Sequence, residues 1–381
     1  MFGPTTGEEL ADTLRRLALH DCLIELRGGA TKRRMGGALQ RFDETVSLAC
    51  LRRVIEYEPH DLTISVEAGL PWRELTAVLA QHRQMVPLDP PFGESATVGG
   101  VVAANCSGPR RRLYGTARDL VIGMQFATLE GKLVSTGGMV VKNVAGLDMG
   151  KLMIGSFGTL AALVSVNFKL LPMPAVERSF LLVFDSASAA LAVRDRIAAG
   201  ALEPAALDLL NPAAATAFGN AAWMLVVRAA GNAAAVNRYE RELAGLGSGV
   251  ALEEQDHLRL WRRLEEYTPA FLAGRPDGAV VRVSCTLKDL AGAIEQFPGP
   301  AVARAGAGVC YGYFESGRDA AAWLTDAAHR GWKAVMEFGP EHRHDLEMWP
   351  APGGDLELMR RIKHMFDPAN LLNRGRLYQR I

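Results

Sequence analysis

A chain of 381 residues has room for roughly two or three domains. About half of it is hydrophobic (49%) and under a quarter charged (22%), which excludes a disordered polypeptide. Lys plus Arg equals Asp plus Glu at 42 each, so the formal net charge is zero. Composition therefore offers no case for nucleic acid as a partner, since such binders usually carry a basic excess.

The start, Met1-Phe2-Gly3-Pro4-Thr5, lacks the basic and apolar runs of a secretory signal. No segment approaches the ~20 apolar residues that span a bilayer, so no transmembrane segment is expected. Cys22, Cys50, Cys106, Cys285 and Cys310 are odd in number and scattered, without a Cys-x-x-Cys pair. They read as free thiols in a reducing compartment and argue against an iron–sulfur cluster or structural zinc in this chain. The tight histidine pair His342 and His344 has no third ligand in a matching motif, so no metal site is expected.

In chain order, Leu23–Leu26 is a short strand entering Arg27-Gly28-Gly29-Ala30-Thr31-Lys32. Glycines after a strand permit positive φ and bare backbone N–H groups, giving an anion nest or simply a turn. Leu62–Val66 alternates with period two, and Pro71 opens a helix with Leu75, Val78 and Leu79 on its apolar stripe. Thr97 is a plausible N-cap for a short apolar helix in which Gly99 and Gly100 would let a phosphate approach free N–H groups. Tight packing through glycine is the alternative. A polar, Arg-rich loop follows from Asn105 through Ser107, Arg110–Arg112 and Gly115 to Arg118 and Asp119; it lines a ligand or is a solvated surface. Strands Val121–Leu129 and Lys132–Ser135 face each other across a two-residue turn, Glu130-Gly131. Gly155-Ser156-Phe157-Gly158-Thr159 precedes the strand Ala162–Leu171, and Pro172 and Pro174 mark a boundary.

From about residue 180 the texture becomes Ala-rich helices between strands. The spacing predicts strands at 180–184, 206–210, 223–228, near 250, 279–284, 301–304, 309–314 and 333–338. Helices fall at 187–199, 233–245, 256–266, 287–296 and 319–329, and Leu356–Phe366 is a terminal helix. Both halves of this region spell the split βαβ order of ferredoxin-like units. His257, His329 and His364 stand isolated.

Taken together, these ordered loops resemble the FAD-binding fold of the vanillyl-alcohol-oxidase and p-cresol-methylhydroxylase type, and within it the FAD-binding E subunits of bacterial glycolate oxidase (glycolate dehydrogenase). The carrying stretches are Arg27–Lys32, Val66–Gly69, Pro87–Pro91, Ala96–Gly100, Arg110–Gly123, Gly138–Asp148, Lys151–Leu160 and Phe366–Leu377. The chain departs from that pattern at Leu147, Ala161 and Arg374, where Tyr, Gly and Pro are usual.

The resemblance implies an α+β chain: a two-part FAD-binding domain of the p-cresol-methylhydroxylase type over residues 1–175, an α+β ferredoxin-like cap over 176–345, and a C-terminal segment, 346–381, returning to the FAD site. It implies that Arg27, Gly28, Gly29, Ala30, Thr31 and Lys32, with Thr97, Gly99 and Gly100, hold the pyrophosphate. Pro90, Asn105, Ser107 and Gly115 would line the flavin and ribityl side, and Arg118 and Asp119, which end that loop, would bind the cofactor as well. Gly158 and Thr159 would lie near the adenine half, and Asn373 at the flavin edge. The first loop has no His and only Cys106 is near, so the FAD is expected to be non-covalent. The implied activity is oxidation of glycolate or D-lactate to the 2-oxo acid, in a complex with a larger FAD-linked D subunit and an iron–sulfur F subunit. The expected location is cytoplasmic, with any contact to the inner membrane made through partners. A self-sufficient 2-hydroxy-acid dehydrogenase and a non-catalytic scaffold of the same fold are the alternatives; no residue is nominated as the catalytic base.

Overall fold

The computed structural model describes residues 1–139, 148–343, 345–378 and 381, in two compact units. The first comprises Met1–Ser107, Thr116–Met173 and Ala351–Ile381; the second comprises Gly108–Gly115 and Pro174–Pro350. The architecture is mixed α and β, as the sequence reading expected.

In the first unit, helix Gly7–Leu19 starts at Thr6, whose hydroxyl accepts the Glu9 N–H, and buries Leu10, Leu14 and Leu17. This i, i+4, i+7 stripe behind a Thr-x-x-Glu start is a signal the sequence reading passed over. Strand Ile24–Arg27 pairs in parallel with Glu44–Ser47, and Ile24 also bridges Leu372. The C-terminal segment is thus stitched to the strand that feeds the first glycine loop. A five-stranded antiparallel sheet carries Val54–Glu58, Thr63–Glu67, Ala162–Lys169, Val121–Ala127 and Leu133–Gly137, in that spatial order. The last two strands are joined by a longer turn than the sequence suggested. Thr128 N–H donates to Lys132 and Gly131 N–H to Thr128, while Gly131 sits at φ +80°. That is a three-residue loop closed by a left-handed glycine.

The second unit is one eight-stranded antiparallel sheet. Its first half, Val176–Phe184, Ala206–Leu210, Trp223–Gly231 and Ser248–Leu252, has the spatial order fourth, first, third, second. The second half, Ala279–Ser284, Ala301–Arg304, Val309–Phe314 and Lys333–Phe338, has the same order reversed. These are two ferredoxin-like units, joined where Ala206–Leu210 pairs with Ala301–Arg304. Helices Ala187–Ala199, Ala233–Leu243, Leu290–Glu295 and Gly317–His329 contribute Leu191, Val236, Ile294 and Ala320 to the core, which Leu209, Val227, Val281 and Ala303 meet from the sheet.

Candidate functional site

A pocket in the first unit encloses, with the solvent at its mouth, about 840 Å³. Arg27 through Lys32, Thr97, Gly99, Gly100, Gly158 and Asn373 all line it. Four chain segments distant in sequence are brought together there.

The first loop brings open backbone donors to the pocket. The backbone N–H groups of Gly28, Gly29, Ala30 and Thr31 find no partner among the described residues. Four successive unsatisfied donors form a nest suited to a phosphate. Left-handed backbone falls on Ala30, at φ +56°, and on neither glycine. Gly28 and Gly29 are demanded by close approach instead. A Cβ on Gly28 would lie 2.4 Å from Thr97 Oγ1, and one on Gly29 2.2 Å from the Ser95 carbonyl.

The cations around this loop are held, not loose. Arg27 Nη2 donates to the buried Glu25 carboxylate at 2.5 Å, which also accepts from Thr45 Oγ1 at 2.9 Å. Arg33 lies 3.6 Å from the same carboxylate. Lys32 Nζ donates to the Pro91 carbonyl at 2.6 Å and lies 4.7 Å over the Phe92 ring. Arg27 Nε, buried, makes no hydrogen bond.

The second glycine pair behaves differently from the sequence expectation of free N–H groups. Val98 N–H donates to Leu70, Gly99 N–H to Ala68 and Gly100 N–H to Thr97 Oγ1 at 3.3 Å. Gly99 is a packing glycine, since its Cβ would lie 2.8 Å from Ala68 Cβ. Helix Val98–Ala103 therefore supplies the pocket's wall rather than a second set of donors.

Asn373 lines the pocket with its amide anchored at both ends: Oδ1 accepts the Leu26 N–H at 2.8 Å and Nδ2 donates to the Phe157 carbonyl at 2.7 Å. Gly158, at φ +70°, leaves the space that Nδ2 occupies, 2.7 Å from where a Cβ would stand. Other expected residues lie off the lining. Thr159 is fully buried and bonds Ser156; Arg118 donates to Lys151; Asp119 closes a capping box with Thr116. Pro90 is buried, Ser107 ends a segment of the first unit, and Gly115 belongs to the second unit. Asn105 sits at φ +49° with its buried Oδ1 making no hydrogen bond. Two residues outside the expected set shape the pocket. Arg376 donates to the carbonyls of Lys32 (2.8 Å) and Arg33 (3.1 Å) and so clamps the nest. Lys363 Nζ donates to the Thr159 carbonyl at 2.7 Å.

In the second unit, alternation places Asp208, Arg304, Tyr311, Arg282 and Glu337 on the sheet face opposite the helix-covered core. Arg304 pairs with Asp208, and Arg282 lies 3.3 Å from Glu337. Burial, with Glu337 adding to it, pushes the Tyr311 phenol up to about 12, so it stays protonated. His257, isolated in sequence, is part of a buried network on this face. Its Nδ1 is 2.7 Å from Ser179 Oγ, which also accepts from Trp261 at 2.8 Å.

Glu177 is the carboxylate of that network. Burial favours its neutral form, but His257 at 3.8 Å and the two Arg228 bonds at 2.8 and 3.2 Å outweigh it and hold the carboxyl at about 2, against 4.5 ordinarily. A depressed folded value means stability present above pH 4.5 and lost as pH falls toward 2. We expect about 3 kcal/mol of acid-dependent stability from this group. Denaturant unfolding across that range checks it: Glu177→Gln should flatten the profile, and an unchanged slope would refute the assignment.

Among the described residues no group of three or more His, Cys, Asp or Glu is placed to hold a metal ion. The His342–His344 pair and the stretch Val141–Gly146 include residues outside those described. No helix among the described residues is long and apolar enough to cross a membrane.

Comparison with known proteins identifies the fold. A family described as "FAD binding domain" matches residues 1–137, and "FAD linked oxidases, C-terminal domain" matches 173–344 and 339–377, more than half of the chain. Glycolate oxidase subunit GlcE of Escherichia coli is 42% identical over 137 residues, 36% of this chain and 39% of that one. Glycolate oxidase subunit GlcD of Bacillus subtilis is 28% identical over 211 residues, 55% of this chain and 45% of that one. The mitochondrial D-lactate dehydrogenase [cytochrome] of Arabidopsis thaliana is 32% identical over 171 residues, 45% of this chain and 30% of that one. The chain thus spans less than half the length of each of these relatives. Among solved structures, p-cresol methylhydroxylase superposes with a TM-score of 0.74 at 15% identity, covering 98% of this chain and 87% of that one. A 4-ethylphenol oxidase from Gulosibacter chungangensis gives 0.73 at 13% identity, with 98% and 88% covered. The nest, the pocket behind it and both matched regions agree: the chain belongs to the FAD-linked oxidase family, with FAD as its cofactor.

Proposed function

We propose that the chain is the FAD-bearing, E-type subunit of a glycolate oxidase complex, working with a larger FAD-linked D subunit and an iron–sulfur F subunit. The observation that carries the reading is the run of four open N–H donors, Gly28 to Thr31, in a chain that is 42% identical over 137 residues to a glycolate oxidase subunit. Arg27–Lys32 would hold the pyrophosphate, with Arg376 fixing the loop from behind. Asn105 Oδ1, buried without a hydrogen bond, would accept one from the cofactor. Among the described residues that line the pocket there is no His or Cys, which supports non-covalent binding. Bound FAD supplies the two-electron acceptor for oxidation of a carbinol carbon.

The residues' own part is recognition. On the second unit's sheet, Arg282 and Arg304 flank Tyr311, and a 2-hydroxy acid offers a carboxylate and a hydroxyl that two guanidiniums and a protonated phenol can bind. Each guanidinium already has a carboxylate neighbour, so the row is close to neutral and would favour small acids over highly charged ones. A self-sufficient FAD-linked dehydrogenase for glycolate or D-lactate is the second reading, favoured by this row and by the presence of both matched regions in one chain.

The purified chain is expected to be yellow and to release free FAD on acid precipitation; flavin remaining with the precipitate would refute non-covalent binding. Glycolate-dependent dye reduction, per FAD, is then compared between this chain and the chain reconstituted with D and F subunits. Turnover only in the complex supports the subunit reading. Equal turnover in both replaces it with the self-sufficient dehydrogenase.

A further inference from the structure

The fold brings together two thiols that lie 25 positions apart. Strand Ala279–Ser284 runs antiparallel to Val309–Phe314, with Val283 opposite Cys310. Cys285 follows the first strand, and its N–H continues the ladder to the Gly308 carbonyl at 2.9 Å. Alternation sends Val283, Cys285 and Cys310 to one face, where Val283 and Cys310 are core and Cys285 packs against it. Cys285 is thereby the diagonal neighbour of Cys310 across the strand pair, and its own Sγ lies 3.6 Å from the Gly308 carbonyl.

Their surroundings differ in a way that suits a reactive and a resolving partner. Cys285 is half-buried and Cys310 wholly buried. The adjacent Cys310 thiol holds the Cys285 thiol below the usual thiol range, whereas the adjacent Cys285 and burial push Cys310 well above it. Gly308 stands at φ +65°, where a Cβ would lie 2.3 Å from the Cys285 carbonyl. Arg194, buried in the adjoining helix, donates to the carbonyls of Leu287 (3.0 Å) and Ala305 (2.9 Å), bracketing the two cysteines.

We propose that Cys285 is an oxidative modification site that reacts with hydrogen peroxide and is then captured by Cys310 as a disulfide across the strand pair. The Cys285 thiolate attacks one peroxide oxygen, the O–O bond breaks, and the departing hydroxide takes up a proton as water; Cys285 is left as a sulfenic acid. The Cys310 sulfur next attacks the Cys285 sulfur. An S–S bond forms, the S–O bond breaks, and the hydroxyl leaves as water with the Cys310 proton. Two thiols give up two electrons and one peroxide takes them. Thiol–disulfide exchange with a small dithiol reverses the link.

The test uses the full-length, FAD-loaded chain. It is exposed to graded hydrogen peroxide, alkylated, and digested with trypsin without reduction. Cleavage after Arg282, Lys288, Arg304 and Arg318 isolates Val283–Lys288 and Ala305–Arg318, each with one cysteine. The linked pair of peptides should form at peroxide levels about tenfold below those that oxidise Cys50, although Cys50 is the exposed thiol. Dithiothreitol should dissolve the link. In Cys310→Ala, Cys285 should halt as a sulfenic acid trapped by dimedone, and in Cys285→Ser, Cys310 should stay reduced. Oxidation of Cys50 ahead of Cys285, no linked peptide, or Cys310 oxidation in Cys285→Ser would each overturn the proposal. Should a variant fail to fold, the linked-peptide measurement on the unaltered chain still decides.

Discussion

Ala30→Asp should abolish FAD binding while the chain keeps its fold, and Ala30→Asn should bind FAD as the unaltered chain does. Ala30 is exposed and stands at φ +56°, a conformation that Asp and Asn adopt more readily than Ala. Neither substitution costs packing, so both variants should melt at or slightly above the parent. The difference between them is one charge beside the open N–H groups of Gly28 to Thr31. A carboxylate roughly 4 Å from a phosphate, at an effective dielectric near 20, opposes it by about 4 kcal/mol. That corresponds to about a thousandfold weaker binding. An aspartate can also fold back onto those N–H groups and fill the nest itself. Calorimetric titration of the stripped protein with FAD measures the effect. Equal affinity in the Asp and Asn variants would move the pyrophosphate off this loop.

The second unit was largely legible in sequence, and the reason is local. Ala206–Leu210, Ala279–Ser284, Ala301–Arg304, Val309–Phe314 and Lys333–Phe338 begin and end where period-two alternation and turn residues place them. Each half closes with neighbours in sequence, so the ferredoxin-like order could be read from the succession of elements. The first unit resisted. Glu44–Ser47 pairs in parallel with Ile24–Arg27, and no turn signal announces a parallel partner. Val54–Glu58 is an edge strand exposed at most positions and shows no alternation. The glycine loops were visible, but not what each glycine does. The carbonyls that occupy the N–H groups of Val98 and Gly99 belong to Leu70 and Ala68, some thirty residues earlier. Arg376 and Lys363 act on carbonyls more than two hundred positions away, and a basic residue near a C-terminus carries no mark of that. The Cys285–Cys310 pairing depends on strand register, which a spacing of 25 does not encode.

Lys363→Met should destabilise the first unit by about 3–5 kcal/mol and weaken FAD binding with it. The ammonium is buried in the terminal helix Asp355–Phe366 and uses all three of its donors: Asp367 Oδ2 at 2.6 Å, the Thr159 carbonyl at 2.7 Å and the Leu372 carbonyl at 3.2 Å. Burial pulls the amine below its ordinary range against the opposing pull of Asp367, which is the mark of an ion held by its partners rather than by water. Asp367 is equally committed, accepting the N–H groups of Leu371 and Leu372 at 2.8 Å each. Methionine fills the aliphatic volume but leaves that carboxylate buried without a cation and two carbonyls without donors. At roughly 2–4 °C per kcal/mol for a unit of this size, the melting temperature should fall by about 10 °C. The loss reaches the pocket because Asn373 and Arg376 follow Leu372 directly and hold Leu26, Phe157 and the nest. Neutralising the stranded acid separates the two effects. Lys363→Met with Asp367→Asn should recover a good part of the stability, since the amide keeps an acceptor for the Leu371 and Leu372 N–H groups while the buried charge is gone. Thermal unfolding and FAD titration of the two variants measure this. A Lys363→Met protein that melts within about a degree of the parent would show that the lysine does not lock the C-terminal segment in place.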